Sequence, residues 1–301
     1  MKILLTGSTG QLGKALIASA PKFINSIPVH FIKSTRSSLD LANPDECFSA
    51  VNYYRPDWIL NSGAFTSVEE AETNPELAFA INAEAPKSFA KALKKFGGKL
   101  LHLSTDFVFD GLEVNPYSPL HKRNPLNNYG RSKALGEQAI EELLFPTHQA
   151  IILRTGWLMG PVGNNFLLTM LKLHKDREEI AVVSDQIGCP TSTATLAHVC
   201  WKLIELNQDR IIQSFNYLHW TDSGIASWYD VALKIGEFAN ELKLIKHMAK
   251  VIPILSSEYS SKVDRPKYSV LNSEKTCRQL FIPNIHWNIT IKNILKTLVN
   301  N

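Results

Sequence analysis

A chain of 301 residues, 45% hydrophobic and 20% charged, has the make-up of a globular protein, which excludes a disordered or fibrous one, and its length suits two linked lobes. A formal charge of +4, spread over basic pairs such as Lys94-Lys95 and Lys122-Arg123, leaves no footprint for nucleic acid but suits polyanionic ligands such as a dinucleotide and a diphosphate. Four cysteines without CxxC spacing and nine histidines without HxH or HxxxH clusters indicate neither a disulfide framework nor a metal site.

The opening Met1–Thr6 is a short apolar strand. It reads as neither a signal sequence nor a membrane span, and no apolar run reaches roughly 18 residues, so a cytoplasmic setting without a membrane partner is expected. Gly7-Ser8-Thr9-Gly10-Gln11-Leu12-Gly13 follows, then Lys14–Ala20 at helical period. In this strand–turn–helix setting Gly7 and Gly10 let the backbone approach a pyrophosphate, and Gly13 lets helix and strand pack closely. The amides and the positive dipole end of the helix then face the phosphates.

Val29–Ile32 reads as a second strand, with no acidic residue after it until Asp40. An NAD-selective site usually places Asp or Glu there for the ribose hydroxyls. Arg36 or Lys33 is instead the candidate partner of a 2′-phosphate, which favours NADPH and leaves NADH possible; the alternative is a solvated basic turn. Asp40-Leu41 suits a short loop lining the adenine. A helix over Pro44–Tyr54 begins near Asn43, Trp58–Asn61 is a third strand, and Pro75–Phe96 is one long helix stopped by Gly97-Gly98.

Leu100–Ser104 is a further strand, Tyr129–Leu144 a helix and Ala150–Arg154 a strand. Such alternation predicts an α/β fold of Rossmann type, a doubly wound parallel sheet with ligands at the carboxyl ends of its strands. Tyr129 and Lys133 form a YxxxK pair on one helical face. A phenol titrates near pH 10 unaided, and a neighbouring ammonium lowers that value, so Tyr129 can protonate a carbonyl oxygen as a hydride reaches its carbon. Thr105, at the end of its strand, is placed to bond both the carbonyl and Tyr129; side-chain alternation turns the rival Ser104 away.

After about Gly156 the rhythm loosens. Helices over Asn165–Lys175, Thr193–Leu206 and Ile225–Leu242 and a strand over Ile180–Val183 alternate with proline-containing loops. We expect a cofactor domain over residues 1–156, with elements near 193–220 returning to it, and a smaller, mainly substrate-binding lobe over 157–301.

These stretches resemble the extended short-chain dehydrogenase/reductases and, within them, the dTDP-4-dehydrorhamnose reductase family. The resemblance spans nearly the whole chain, through Ser38–Leu41, Ala64–Glu72, Ile81–Pro86, Leu103–Gly111, Tyr129–Glu137, Leu153–Gly160, Gly163–Leu171, Val182–Thr193, Ser223–Ala232 and Arg265–Leu271. It implies Thr105, Tyr129 and Lys133 as catalytic residues, with Lys133 and Tyr129 also holding cofactor. Gln11, Leu12, Gly13, Asp40, Leu41, Ala64, Phe65 and Thr66 match cofactor contacts; Thr105, Asp106 and Trp157 match contacts to a nucleotide sugar. Trp157 is either a stacking surface for a sugar or a core indole, and Asn165 either a substrate ligand or a helix cap.

The implied activity is NADPH-dependent reduction of the 4-keto group of a dTDP-4-dehydro-6-deoxy sugar to dTDP-L-rhamnose. A related deoxysugar reductase and a noncatalytic nucleotide-binding regulatory subunit are the alternatives; the intact Thr105/Tyr129/Lys133 set weighs against the latter. A dehydratase would need a second acid beside Asp106, where Phe107 stands. Phe107 also replaces a tyrosine common in the family, and Glu69-Glu70 replaces an aspartate-lysine pair. Lys14-Ala15 lacks the carboxylate of metal-bridged dimers, so no metal is expected and the assembly is a monomer or a homodimer.

Overall fold

The computed structural model describes residues 1–208, 216–261 and 263–299. Its main strands are β1 (Lys2–Thr6), β2 (His30–Lys33), β3 (Trp58–Asn61), β4 (Lys99–Thr105), β5 (Ala150–Thr155), β6 (Glu179–Val183), β7 (Tyr217–His219) and β8 (Lys250–Ile254). Its main helices are α1 (Gln11–Ala18), α2 (Pro44–Tyr54), α3 (Ala85–Phe96), α4 (Asn128–Leu144), α5 (Phe166–Asp176), α6 (Thr193–Gln208), α7 (Trp228–Glu241) and α8 (Trp287–Val299).

Six strands form one parallel sheet in the order β7-β5-β4-β3-β1-β2. The apolar runs that predicted the central strands are buried on both faces. Ile3, Leu5, Leu60, Leu101 and Leu153 face Leu12 and Leu16 of α1 and Leu196 and Leu203 of α6. Leu4, Ile59, Leu100 and Ile152 face Val51 of α2, Phe89 and Leu93 of α3 and Ile140 of α4. The chain leaves β1 for β2 on one side and returns as β3 on the other, so a crevice opens at their carboxyl ends. The α/β fold expected from the sequence is therefore present.

A second core lies beyond this sheet, where β6 and β8 pair in parallel. Leu167, Met170, Ile180, Val182, Val231, Ile235, Ile291 and Leu295 gather there. Of the span near 193–220, residues 209–215 lie outside the described residues; α6 rests on the β1 side of the sheet, and β7 is its edge strand.

Three elements differ from the sequence reading by more than two residues. The first helix starts at Gln11 rather than Lys14, so Gln11, Leu12 and Gly13 form its first turn. The helix expected from Ile225 starts at Trp228, because Ala226-Ser227 pairs with Ile187-Gly188 and Ser227 with Asp230 forms a capping box.

The third difference bears on the site. Pro75–Phe96 is not one α-helix: a turn of α-helix (Pro75–Phe79) runs into a π-helical turn (Ala80–Glu84) before α3. Pro86 has no N–H to give the Asn82 carbonyl, and the Ala85 N–H reaches back five residues to the Ala80 carbonyl. The widened turn directs the Asn82 side chain onto the Phe65 backbone, accepting from its N–H and donating to its carbonyl, each at 2.9 Å. Helix α4 lies so close that a Cβ on Gly136 would stand 2.2 Å from the Asn82 carbonyl oxygen. Gly136→Val should therefore destabilise the protein by about 2 kcal/mol or more, read from the urea unfolding midpoint. An unchanged midpoint would show that the two helices tolerate a wider spacing.

Candidate active site

The glycine turn after β1 is built by backbone contacts that exclude side chains. Gly7 has φ +66°, and the Gly10 N–H closes the turn onto the Gly7 carbonyl at 3.0 Å. A Cβ on Gly13 would lie 2.1 Å from that same oxygen, and one on Gly7 would lie 2.6 Å from the Cα of Gly63 at the end of β3. The two loops thus meet backbone to backbone. No side chain caps α1, so its first amides are open to a ligand. This cradle fits a dinucleotide pyrophosphate. Leu12 points into the core, and its position on the cleft is that of its backbone. Gln11 joins the lobes, donating to the Leu158 carbonyl and accepting from Asn165, each at 3.3 Å.

Around this cradle a cleft of about 690 Å³ runs between the lobes. It is lined by Gly7, Gly10, Gln11, Leu12, Gly13, Ala64 and Thr66 at one end, and by Thr105, Asp106, Tyr129, Lys133, Trp157 and Asn165 farther along. Arg36, Asp40, Leu41 and Phe65 are not among its lining residues. Arg36 is exposed in the turn after β2, beside the hydroxyls of Thr35 and Ser37. Asp40 uses its carboxylate to accept the Ala42 N–H at 3.0 Å, Leu41 leans on Gly63, and Phe65 is held by Asn82.

The three residues expected to be catalytic converge from β4 and α4. Asn127 caps α4 by accepting the Gly130 N–H at 2.9 Å. A Cβ on Gly130 would lie 2.2 Å from the Phe107 carbonyl, so the first turn of α4 rests directly on the short 3-10 turn (Asp106–Val108) that follows β4. Thr105 Oγ1 donates to Asp106 Oδ1 at 3.0 Å, accepts the Phe107 N–H at 3.2 Å and shares a hydrogen bond with the Tyr129 phenol. The ring of Phe107 packs edge-on against Tyr129, 5.5 Å between centroids. Ser104 lies against Glu137 instead.

Burial dominates the charges. It pushes the Tyr129 phenol up to about 12, helped by the Asp106 charge and opposed by the bond to Thr105. It lowers Lys133 to about 8, with Glu137 acting the other way. It raises Asp106 to about 6 against hydrogen bonds from Ser269 and Thr105. The lowering of the Tyr129 value expected from Lys133 together with the charge of an oxidised nicotinamide is not present in the ligand-free protein. The ammonium donates to the Leu103 carbonyl at 2.6 Å and faces His102 at 3.4 Å, and desolvation is the largest influence on the phenol.

The opposite wall is aromatic. Trp157, at φ +48°, stacks flat on Trp228 with 3.5 Å between ring centroids. A Cβ on Gly188 would lie 2.4 Å from the Trp157 indole, so glycine is required there. Trp228 donates to Gln186 at 3.2 Å. Trp157 lines the cleft and packs from there against the second core. Asn165 caps α5 through Leu168 at 3.1 Å, and its amide donates to the Gly160 and Val162 carbonyls and to Gln11. It lines the cleft with its polar atoms already engaged.

Sequence reasoning passed over Trp228, Gln186 and Arg265, which also line the cleft. Trp228 and Arg265 stand in the quoted stretches Ser223–Ala232 and Arg265–Leu271, but neither local periodicity nor spacing marks them. Arg265 pairs across the cleft with Glu69. The Glu69 carboxyl, which its partial burial would raise, is held below its ordinary value by that guanidinium.

The model of the RmlD substrate binding domain family matches residues 1–300. A dTDP-4-dehydrorhamnose reductase of Aggregatibacter actinomycetemcomitans is 35% identical over 296 residues, 97% of this chain and 98% of that protein. Among solved structures, a dTDP-4-dehydrorhamnose reductase of Clostridium acetobutylicum aligns over 99% of both chains at 34% identity, with a TM-score of 0.87. Another from Bacillus anthracis, solved in complex with NADP, covers 98% of this chain and 99% of its own at 33% identity, with a TM-score of 0.85.

The cradle can be tested by itself. Gly13→Ala should weaken NADPH binding roughly tenfold or more, about 1.4 kcal/mol, in calorimetry on protein with an unchanged circular dichroism spectrum. Unaltered affinity would remove the glycine turn from the cofactor site.

Proposed function

The chain belongs to the RmlD substrate binding domain family, and we propose that it uses NADPH to reduce the 4-keto group of a dTDP-4-dehydro-6-deoxy sugar, forming dTDP-L-rhamnose. The observation that carries this reading is the convergence of Thr105, Tyr129 and Lys133 in one cleft with a pyrophosphate cradle at one end and an indole wall beside them.

NADPH, when bound, supplies hydride to the carbonyl carbon. The chain does the rest. Tyr129 retains its proton across the physiological range and delivers it to the carbonyl oxygen as charge develops there. Thr105 donates its proton to Asp106 in the ligand-free chain and lies within reach of the phenol. With substrate present, the ketone oxygen takes that bond and is fixed between the two hydroxyls. Lys133 contributes positive charge beside the phenol and a donor for the nicotinamide ribose. One carbonyl, one hydride and one proton give the alcohol.

Asp106 is suited to accept from a sugar hydroxyl, and Trp157 to pack against a pyranose face. Arg36 and the hydroxyls around it are suited to a 2′-phosphate, and Asp40-Leu41, Ala64, Phe65 and Thr66 to the adenosine half. We assign the cofactor to residues 1–156 and the sugar nucleotide mainly to the remainder. Among the described residues no helix is long and apolar enough to cross a membrane.

Two outcomes are expected. Tyr129→Phe should lower kcat by ~10²-fold or more while NADPH still binds, because only the proton donor is lost; stopped-flow turnover at the wild-type rate would end the assignment. Arg36→Ala should reduce the ratio of kcat/KM for NADPH over NADH without changing kcat at saturating NADPH. A ratio equal to wild type would leave Arg36 as solvated surface.

A further inference from the structure

Three adjacent strands carry a polar row through an apolar sheet. Thr6 of β1 pairs in register with Asn61 of β3, and Asn61 with His102 of β4. All three are at most 2% exposed, as is Lys133, which descends onto the end of the row from α4. The contacts are Thr6 Oγ1 to Asn61 Oδ1 at 2.6 Å, Asn61 Nδ2 to His102 Nδ1 at 2.9 Å and His102 Nε2 to Lys133 Nζ at 3.4 Å. Burying such groups costs free energy unless each finds a partner.

We propose that His102 is a positioning residue for Lys133: a hydrogen-bonded chain anchored on the Gly63 amide turns His102 Nε2–H toward Lys133 Nζ and disfavours the ammonium form of that lysine. The proposal rests on the catalytic role assigned to Lys133 above. Its direction follows from donor bookkeeping. The Gly63 N–H, a main-chain donor that cannot be reversed, gives its hydrogen to Thr6 Oγ1 at 3.0 Å. The buried Thr6 hydroxyl then needs an acceptor and finds Asn61 Oδ1. That orients the Asn61 amide with its nitrogen toward His102 Nδ1, which accepts.

Burial and the nearby Lys133 keep the imidazole neutral, so its single proton is on Nε2. An ammonium would then face it donor to donor, whereas an amine would accept from it. The distances agree. The Leu103 carbonyl, a true acceptor, draws Lys133 to 2.6 Å, while His102 stays 3.4 Å away, beyond the usual length of a charge-assisted bond.

The other groups facing this pair are few. On α4 itself, Tyr129 lies one turn back and Glu137 one turn on; Glu137 favours the charged lysine. Arg154 of β5 neutralises Glu137 at 2.6 Å, with Arg123 at 3.4 Å. Asp106 at the end of β4 acts on Tyr129. From β1 and β3 come Thr6 and Asn61, both uncharged. His102 therefore counteracts Glu137 and keeps Lys133 ready to part with a proton near neutral pH.

The test has two arms. The first is the alkaline limb of the pH profile of kcat/KM for NADPH-dependent ketosugar reduction, which Lys133 deprotonation sets. His102→Leu should move it upward by about 1 pH unit. His102→Gln, whose amide N–H can replace Nε2–H, should keep it near wild type. Asn61→Leu frees Nδ1 to carry the proton and should move the limb upward although the histidine remains. The second arm needs no turnover: nitrogen NMR of the ligand-free wild type at pH 7 should report His102 protonated on Nε2 and bare on Nδ1. A histidine protonated on Nδ1, or a limb that stays in place or moves to lower pH in folded His102→Leu, would overturn the proposal. Failure of the wild type to reduce any ketosugar, with the Nε2–H tautomer observed, would instead overturn the function assigned above.

Discussion

The distance at which α4 can lie on its neighbours, the turn after β4 and the π-helical turn, governs this molecule. Two glycines set it. Gly130 admits the Phe107 carbonyl at the start of the helix and Gly136 admits the Asn82 carbonyl two turns later, each at 2.2 Å from where a Cβ would stand. Tyr129, Lys133 and Glu137 project from the face so brought down, at successive turns. Were the helix an ångström farther away, Lys133 would not reach the Leu103 carbonyl, nor Tyr129 the Thr105 hydroxyl. The π-helical turn belongs to the same constraint, since its widened backbone both supports α4 and sends Asn82 to fix the loop that carries Phe65.

That closeness has an electrostatic consequence. A buried lysine and a buried aspartate stand beside a half-buried tyrosine at the wall of the cleft, and each is driven toward its neutral form. Proteins tolerate such groups where chemistry requires them, because a neutral acid and a labile ammonium transfer protons more readily than fully solvated ions. Glu137 is the exception. Burial alone would raise it, but the Arg154 guanidinium holds it ionised, which leaves one fixed negative charge behind Lys133.

Along the rim of the cleft the two lobes are joined by polar contacts, besides the apolar cluster of Val108, Phe109, Tyr117 and Leu271. Gln11 meets Leu158 and Asn165, Asn127 donates to the Asp264 carbonyl, and Arg265 pairs with Glu69. Each contact ties an element on the side of the six-stranded sheet to one on the indole side. The lobes consequently share a wall, and the loop bearing Glu69 and Thr66 is referenced to the same segment as Ser269 and Pro266.

The amino-acid sequence by itself determined whatever is written in local spacing. Buried parallel strands appear as short apolar runs, the glycine turn as three glycines opening a helix, and the Tyr129/Lys133 pair as a four-residue interval, because backbone geometry enforces those periods wherever the segment lies. Boundaries were less legible: Ser227 competes with the apolar pattern that begins at Ile225, and Pro86 hides a π turn inside an unbroken helical period. Tertiary structure alone decided which distant groups meet. Asn82 finds Phe65 and Ser132, His102 finds Asn61 and Lys133, Trp157 finds Trp228, and Arg265 finds Glu69 across 196 residues of chain. It also decided the charges, since the Lys133 ammonium is weakened and the Tyr129 phenol strengthened in its hold on a proton by the removal of water. No interval between residues records that removal; only the assembled fold excludes the solvent.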